Sequence, residues 1–276
     1  MIINGKEIAG EIVKEAREAV DSLGREPVVR AVTVQPTPVT GSYLKIKSVK
    51  AAEAGMLLDI VQLSEEATEE EVIAAVQQPG ADAVIVQLPL PAHMDTQRVL
   101  DTIPLEQDAD VLSSEAHQRF HIGDSESLLP PVTAAIAQIL ERTNVTVAGK
   151  RAVVVGNGKL VGKPAARWLT RQGALVTVLN EENFAKEQNA LKEADIIISG
   201  AGSGHFIKPN MITSGAVCID AGTSELKGSI AGDFDPTCAE IASVFTPVPG
   251  GVGPIAVACL FKNVGMLLTE SGLQTH

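Results

Sequence analysis

Short apolar, β-branched runs alternate with amphipathic stretches along this 276-residue chain, and the alternation predicts its architecture. Residues 8–20 carry apolar side chains at helical spacing with Lys and Glu between them. Residues 28–34 read as a strand. Pro36 and Pro38 interrupt the chain, and 40–54 return to a helical pattern ending at Gly55. A strand over 56–63 follows. Thr68 and Glu71 then form a capping-box pattern that opens a helix through Val76. Residues 83–88 have the character of a buried strand. This β-α-β-α-β order predicts a parallel sheet covered by helices on both faces. Residues 104–129 lose periodicity and carry mixed charge, which places the crossing between two domains near them.

A helix over 133–142 leads into residues 151–164, RAVVVGNGKLVGKP. There an apolar run, 152–155, ends at Gly156. Gly158, Gly162 and Pro164 follow, and 165–171 are amphipathic. Strand, glycine turn and helix make the first unit of a dinucleotide-binding fold. Glycines let the backbone turn tightly and approach a pyrophosphate, and the helix N-terminus offers free N–H groups to it. The third glycine comes one residue later than in G-x-G-x-x-G, so a glycine turn without ligand stays open as a reading. Beyond it, 174–179, 194–199, 216–220 and 243–246 read as strands, 184–193 as a helix, and the last helix runs from after Pro254 to about Thr269.

Composition narrows the function. A hydrophobic share of 45% suffices for packed cores, and a net charge of −12 argues against broad binding to nucleic acid or anionic membranes. Cys218, Cys238 and Cys259 are odd in number and widely spaced, which points to reduced thiols in a cytoplasmic protein. Charge at Lys6 and Glu7 argues against a signal peptide, and no apolar run is expected to span a membrane.

Four further stretches carry chemistry. Tyr43, the only tyrosine, and Lys47 are i and i+4 on a helix that follows a strand. They are either solvated positions of an amphipathic helix or an aromatic plate with a lysine able to bind a planar anion and move protons. Gln87 stands in Val86-Gln87-Leu88-Pro89 at the end of a buried strand, as a neutral hydrogen-bonding partner or merely as the strand's end. Asp108 and Asp110 could meet a donor-rich heterocycle. A metal is not expected, because His117 and His121 at i,i+4 spacing find no convincing third ligand. Finally, residues 247–254, PVPGGVGP, can press backbone against a ligand.

In this order and at these intervals, Y-x-x-x-K, V-Q-L-P-L-P, D-x-D, a glycine turn ending V-G-K-P, and T-P-V-P-G-G-V-G-P resemble the bifunctional methylenetetrahydrofolate dehydrogenase/methenyltetrahydrofolate cyclohydrolase family over essentially the whole chain. The resemblance implies two α/β domains: an N-terminal parallel-sheet folate domain, residues 1–127 with the C-terminal helix 255–276, and a Rossmann-like nucleotide-binding domain, 128–254, with a cleft between them. It implies oxidation of 5,10-methylenetetrahydrofolate to the methenyl form with NADP, hydrolysis to 10-formyltetrahydrofolate, and a homodimer through the nucleotide domain.

Carried over by residue, the resemblance makes Lys47 the catalytic lysine and Gln87 its hydrogen-bond partner. Tyr43 stacks on the folate and Asp110 accepts from the pterin. Val86 and Leu88 line the substrate pocket with residues 249–257, among them Pro249, Gly250, Gly251, Gly253 and Pro254. The cofactor is assigned to Gly156, Asn157, Gly158, Val161 and Gly162, with Glu181 at the ribose and Thr223 at the nicotinamide half.

The chain departs from the family pattern in places. Asn157 and Gly158 replace an arginine or alanine and a serine, and Leu179-Asn180-Glu181 replaces C/T-H-S. An acidic residue at the end of the second strand binds a ribose diol and repels a 2′-phosphate, so NAD is expected to compete with NADP. Gln107 and Val111 flank the D-x-D where the family has lysine and glycine. Pro130-Pro131-Val132-Thr133 stands for P-C-T-P, and Gly253-Pro254-Ile255-Ala256 for G-P-M-T. A cyclohydrolase-only enzyme and a non-catalytic folate- or nucleotide-binding protein are the alternatives.

Overall fold

The structure is a computed structural model and describes residues 1–35, 38–226 and 228–273; Pro36 lies outside them. The chain divides into two compact units. The first comprises Gly10–Pro131 and the residues from Val257 on, and the second Met1–Ala9 and Val132–Ala256.

In the first unit, α1 (Gly5–Asp21, its first turn belonging to the second unit) buries Ala9, Ile12, Val13, Ala16 and Val20 and leaves its charged positions outward. Strands β1 (Val28–Val34), β2 (Leu57–Leu63) and β3 (Ala83–Val86) form a parallel sheet in the order β2-β1-β3. Helices α2 (Pro38–Glu53) and α3 (Glu69–Gln77) make the crossovers. Pro38, expected to break the chain, opens α2, where a missing N–H costs nothing. Both halves of the capping box are present: Thr68 Oγ1 accepts from the Glu71 N–H, and Glu71 accepts from the Thr68 N–H. β3 is fully buried and stops at Val86, so Gln87 and Leu88 lie just past the strand predicted to include them.

Residues 104–129 are more regular than their sequence suggests. After α4 (Thr96–Leu100), capped by Asp95, α5 (Ser114–Ile122) is capped by the Ser113 hydroxyl and ends at Gly123 in the left-handed region. Only Ala116 and Phe120 of α5 are buried, too few to show as a hydrophobic period.

The second unit holds α6 (Pro131–Arg142), β4 (Arg151–Val155), α7 (Gly162–Arg171), β5 (Leu175–Leu179), α8 (Phe184–Glu187), β6 (Ile196–Ser199) and β7 (Val217–Asp220). A hairpin of β8 (Ser224–Leu226) and β9 (Ser229–Ala231) and the short β10 (Val244–Phe245) follow. The helix expected over 184–193 splits into α8 and a 3-10 turn, Gln188–Lys192; the hairpin was not foreseen. The parallel sheet runs β10-β7-β6-β4-β5. The chain leaves β4 for β5 on one side and returns to β6 on the other. The switch point therefore lies between β4 and β6, where an open sheet binds ligands beyond the carboxyl ends of its strands. The N-terminus joins this unit through a parallel bridge between Ile2 and Phe245.

α9 (Val252–Leu273) starts two residues before Pro254. Its stretch Val252–Thr269, mean hydropathy 1.6, is long and apolar enough to cross a membrane by length and composition, contrary to the expectation that no run would be. Yet 56% of that stretch is buried in the protein. Ile255, Ala258, Leu260, Phe261 and Val264 fill core positions.

Asp220, at the end of β7, is 2% exposed. Burial pushes its carboxyl from 3.8 to about 7; the Phe234 N–H pulls it back and the charge of Asp233 adds to the rise. Folded protein thus holds a proton that the unfolded chain has lost between these two values. The contribution of Asp220 to stability is most favourable below about pH 4 and declines as pH rises through about 7. Thermal unfolding of Asp220→Asn from pH 5 to pH 8 should show a flatter pH dependence than wild type, the difference over this window reaching at most about 3 kcal/mol. Parallel curves would contradict this.

Candidate functional site

The first-unit cluster is built at the carboxyl ends of β1 and β3. Lys47 lies on α2, the helix that follows β1, and Gln87 is the residue after β3. Lys47 Nζ donates to Gln87 Oε1 at 3.1 Å. Gln87 is held on two sides: its N–H donates to Val32 O (2.8 Å), and its side-chain Nε2 donates to Leu88 O (3.0 Å). The amide is thereby oriented with its oxygen toward the lysine, the only arrangement a donor-only ammonium accepts. Lys47 is half-buried, and desolvation of its ammonium pushes its pKa below the ordinary lysine range, while the charge of Asp110 pulls the other way. Burial pushes the Asp110 carboxyl up, Lys47 pulls it down, and Asp108 adds to the rise. The pair is thus biased toward its neutral forms, an amine able to accept a proton beside a carboxyl reluctant to lose one. The backbone of Tyr43 belongs to α2; its side chain lies outside the described residues.

The two aspartates of D-x-D have separated duties. Asp108, 1% exposed, accepts the N–H groups of Leu112 and Ser113 at 2.8 to 3.1 Å and so builds the turn leading into α5. Asp110 makes no hydrogen bond among the described residues; it acts on Lys47 through its charge. Asn263 on α9 ties down this turn: its Nδ2 donates to Ala109 O and to Leu129 O, both at 2.9 Å. Sequence reading passed over Asn263. Its only signal is an amide beside Lys262 within the long apolar stretch of α9.

In the second unit, Gly156 ends β4 at φ +97°, and a Cβ there would meet Gly200 O at 2.7 Å. A Cβ on Gly162 would lie 2.0 Å from Gly156 O. Both glycines are required by the fold itself. Gly158 is different: a Cβ there meets nothing within 4 Å. Val161, just before α7, makes no side-chain cap; in the first turn the Lys163 N–H donates to Gly158 O and Pro164 has no N–H, which leaves the Gly162 N–H as the donor no cap claims. Asn157 and Gly158 are exposed beside it. After β5, Asn180 Oδ1 accepts from the Glu182 and Asn183 N–H groups (3.0 and 3.1 Å), and Asn183 Oδ1 accepts from the Asn180 N–H (2.7 Å). This locked turn leaves Glu181 exposed. Thr223 is exposed just past β7.

The glycine-rich loop is partly explained by its own packing. Gly250 has φ +104°, and a Cβ on Gly251 would meet Pro247 O at 2.6 Å. The chain start presses on this loop, with the Gly5 N–H donating to Gly250 O at 3.0 Å. Gly253, in the first turn of α9 beside Pro254, has open space where a side chain would be. The Leu88–Pro89 and Val248–Pro249 peptides are cis.

Two family models match this chain. One, described as tetrahydrofolate dehydrogenase/cyclohydrolase, catalytic domain, covers residues 3–110; the other, the NAD(P)-binding domain of the same family, covers residues 130–271. The chain belongs to the tetrahydrofolate dehydrogenase/cyclohydrolase family. It is 37% identical to the bifunctional protein FolD of Thermotoga petrophila over 271 residues, 96% of this chain and 97% of that one. It is 35% identical to that of Brevibacillus brevis, 95% of each chain being covered. Among solved structures, the Trypanosoma brucei methylenetetrahydrofolate dehydrogenase-cyclohydrolase, complexed with NADP cofactor and inhibitor, superposes with a TM-score of 0.92 at 30% identity, covering 99% of this chain and 98% of that one.

For a tetrahydrofolate dehydrogenase/cyclohydrolase, the second unit must accept a dinucleotide, and its residues fit one. The glycine turn sits at the switch point, Gly158 leaves room for a ligand, and α7 has no side-chain cap at its N-terminus. Among the described residues no group of three or more His, Cys, Asp or Glu is placed to hold a metal ion.

Proposed function

We propose that this protein oxidises 5,10-methylenetetrahydrofolate to 5,10-methenyltetrahydrofolate with NAD(P) and hydrolyses the product to 10-formyltetrahydrofolate. The observation that carries the reading is the Lys47–Gln87 pair at the carboxyl ends of the first sheet's strands, with the lysine's pKa depressed by burial. In hydrolysis, neutral Lys47 takes a proton from the water attacking the methenyl carbon. Lys47 then returns that proton to N5 as the bond between N5 and the carbon breaks; the hydroxyl gives its own proton to solvent as it becomes the carbonyl, and the carbon stays on N10 as the formyl group. Gln87 holds the amine in line through both steps. Asp110 accepts hydrogen bonds from the pterin edge, Tyr43 stacks on the ring, and Val86 and Leu88 line the folate.

Bound NAD(P) supplies the hydride acceptor for the oxidation. Gly156, Asn157, Gly158, Val161 and Gly162 hold its phosphates, Glu181 its ribose and Thr223 its nicotinamide half. The chain's part in that step is orientation. The reading extends to a cytoplasmic, homodimeric enzyme. Edge strand β5, with Leu175 66% exposed, is the surface we assign to the dimer.

The test is absorbance at the methenyl-folate band. Methylenetetrahydrofolate with nucleotide should raise it, and methenyltetrahydrofolate without nucleotide should lose it faster than buffer allows. Loss alone supports a cyclohydrolase only; neither change refutes both activities. The nucleotide arm also tests the ribose site. With Glu181 presented by the Asn180–Asn183 turn and Asn157 and Gly158 at the phosphate turn, kcat/KM for NAD should equal or exceed that for NADP. Glu181→Gln should raise kcat/KM for NADP by about tenfold, the worth of one removed like-charge contact of about 1.4 kcal/mol. A large NADP advantage in the wild type would sink the assignment.

A further inference from the structure

Two buried carboxylates of the second unit have no part in the chemistry above. Asp233, fully buried, gathers three neutral donors: Ser199 Oγ (2.6 Å) and the Ala201 N–H (2.7 Å) on Oδ2, and the Ser203 N–H (2.7 Å) on Oδ1. Ser199 is the last residue of β6, so one side chain shapes the whole loop leaving that strand. The loop leaving β7 passes directly over the same group, since a Cβ on Gly222 would lie 2.1 Å from Asp233 Oδ2. Asp220 repeats the arrangement in reverse. It accepts from the Gly222 N–H (3.0 Å) and the Phe234 N–H (2.9 Å), and a Cβ on Gly232 would lie 2.2 Å from its Oδ2. Each carboxylate thus occupies the space of a side chain missing from the other's strand end.

These loops adjoin the phosphate turn. A Cβ on Gly200 would meet Val161 Cγ1 at 2.4 Å, and Gly200 O stands where a Cβ of Gly156 would be. Movement of residues 200–203 therefore passes straight to residues 156–161. We propose that Asp233 is a positioning residue for NAD(P), holding the backbone beyond β6 and β7 against the glycine turn so that the strand ends present one fixed edge to the nucleotide. The inference rests on the reading that the second unit binds NAD(P). Only a carboxylate serves here, because an asparagine would turn an NH2 toward one of the converging donors.

The test uses the full chain as Asp233→Asn and, separately, Ser199→Ala, which removes one of the three donors. NAD and NADP are titrated calorimetrically, and steady-state kinetics follow. Asp233→Asn should weaken nucleotide binding about tenfold or more, and Ser199→Ala about two- to threefold. The nucleotide KM should rise in parallel, with kcat at saturation within about twofold. Hydrolysis of methenyltetrahydrofolate without nucleotide, which draws on Lys47 and Gln87, should hold in both variants. Unchanged nucleotide affinity in the two variants overturns the proposal, as does a fall in kcat at constant KM. If Asp233→Asn does not fold, Ser199→Ala decides alone: unchanged affinity refutes, weakened affinity supports. Absence of nucleotide binding by the wild type would instead refute the NAD(P) reading itself.

Discussion

Lys47→Met should lower hydrolysis of methenyltetrahydrofolate by about a thousandfold or more while nucleotide binding is unchanged. Methionine keeps the length of the stem and removes only the proton carrier, and a positioned general base contributes about 10²–10⁴-fold. Folding should survive the change. Burial already pushes the Asp110 carboxyl up, and loss of Lys47 removes the charge that opposes this, so the carboxyl is pushed further toward its protonated form. Full activity would refute the role of Lys47. The pH dependence carries a second sign. The neutral amine is the active form, so hydrolysis should rise with pH and level off above the lowered lysine value. Asp110 is the group that pulls that value up, so Asp110→Asn should move the rise to lower pH. Profiles of kcat against pH check it, and movement to higher pH would show that Asp110 does not act on Lys47 in this way.

Gly162→Ala should cut nucleotide affinity and dehydrogenase kcat/KM by at least about a hundredfold. The added methyl would fall 2.0 Å from Gly156 O and 2.7 Å from its carbonyl carbon. Neither is the flexible end of a side chain, so the β4–α7 turn itself must move. Overpacking of this kind costs about 1–3 kcal/mol of stability. The same displacement disturbs the backbone that meets the phosphates, where a misplacement of about 1 Å is enough for a hundredfold effect. Cyclohydrolase turnover without nucleotide should be spared. Gly158→Ala is the control, since its methyl meets no protein atom within 4 Å. Its stability should match wild type, so any loss in nucleotide binding there reports the ligand alone. Calorimetric titration and thermal unfolding of both variants check the contrast.

What the sequence made legible follows from how strongly each element depends on burial. The strands that became β3, β4 and β6 are nearly unbroken apolar runs because both faces of their sheets are covered, and β1 is buried from Val29 on although it carries Arg30 and Thr33. Their order was readable from the alternation with helices. Helix α5 was not, because it buries two residues and is held by its caps. The β8–β9 hairpin, with Leu226 and Ile230 partly exposed, offers no buried period either. At the candidate site, the proximity of Lys47 and Gln87 was within reach, since both follow parallel strands and such ends share one edge. The buried polar braces were not. Asp220, Asp233 and Asn263 satisfy backbone groups many residues away, and no local pattern announces a side chain whose partners lie across the fold. The glycine-rich loop is able to press its backbone against a ligand, but not every glycine in it is spent on that. Close backbone packing accounts for Gly250 and Gly251, leaving Gly253.

The clasp of Asn263 on Ala109 O spans 154 positions of sequence, and this has a bearing on synthesis. Both strands and the helix that bring Lys47 to Gln87 lie within residues 28–87, so that pair can assemble early on a growing chain. The turn carrying Asp110 is held by Asp108 and by the Gln107 side chain on Ala81 O, but gains its tie at Ala109 O only when α9 has been made. A chain stalled before Asn263 would therefore hold a lysine and a glutamine in place beside an acid whose turn lacks this last anchor. Such a nascent chain should be folded in its first sheet and silent as an enzyme, with activity arriving only as the last helix docks.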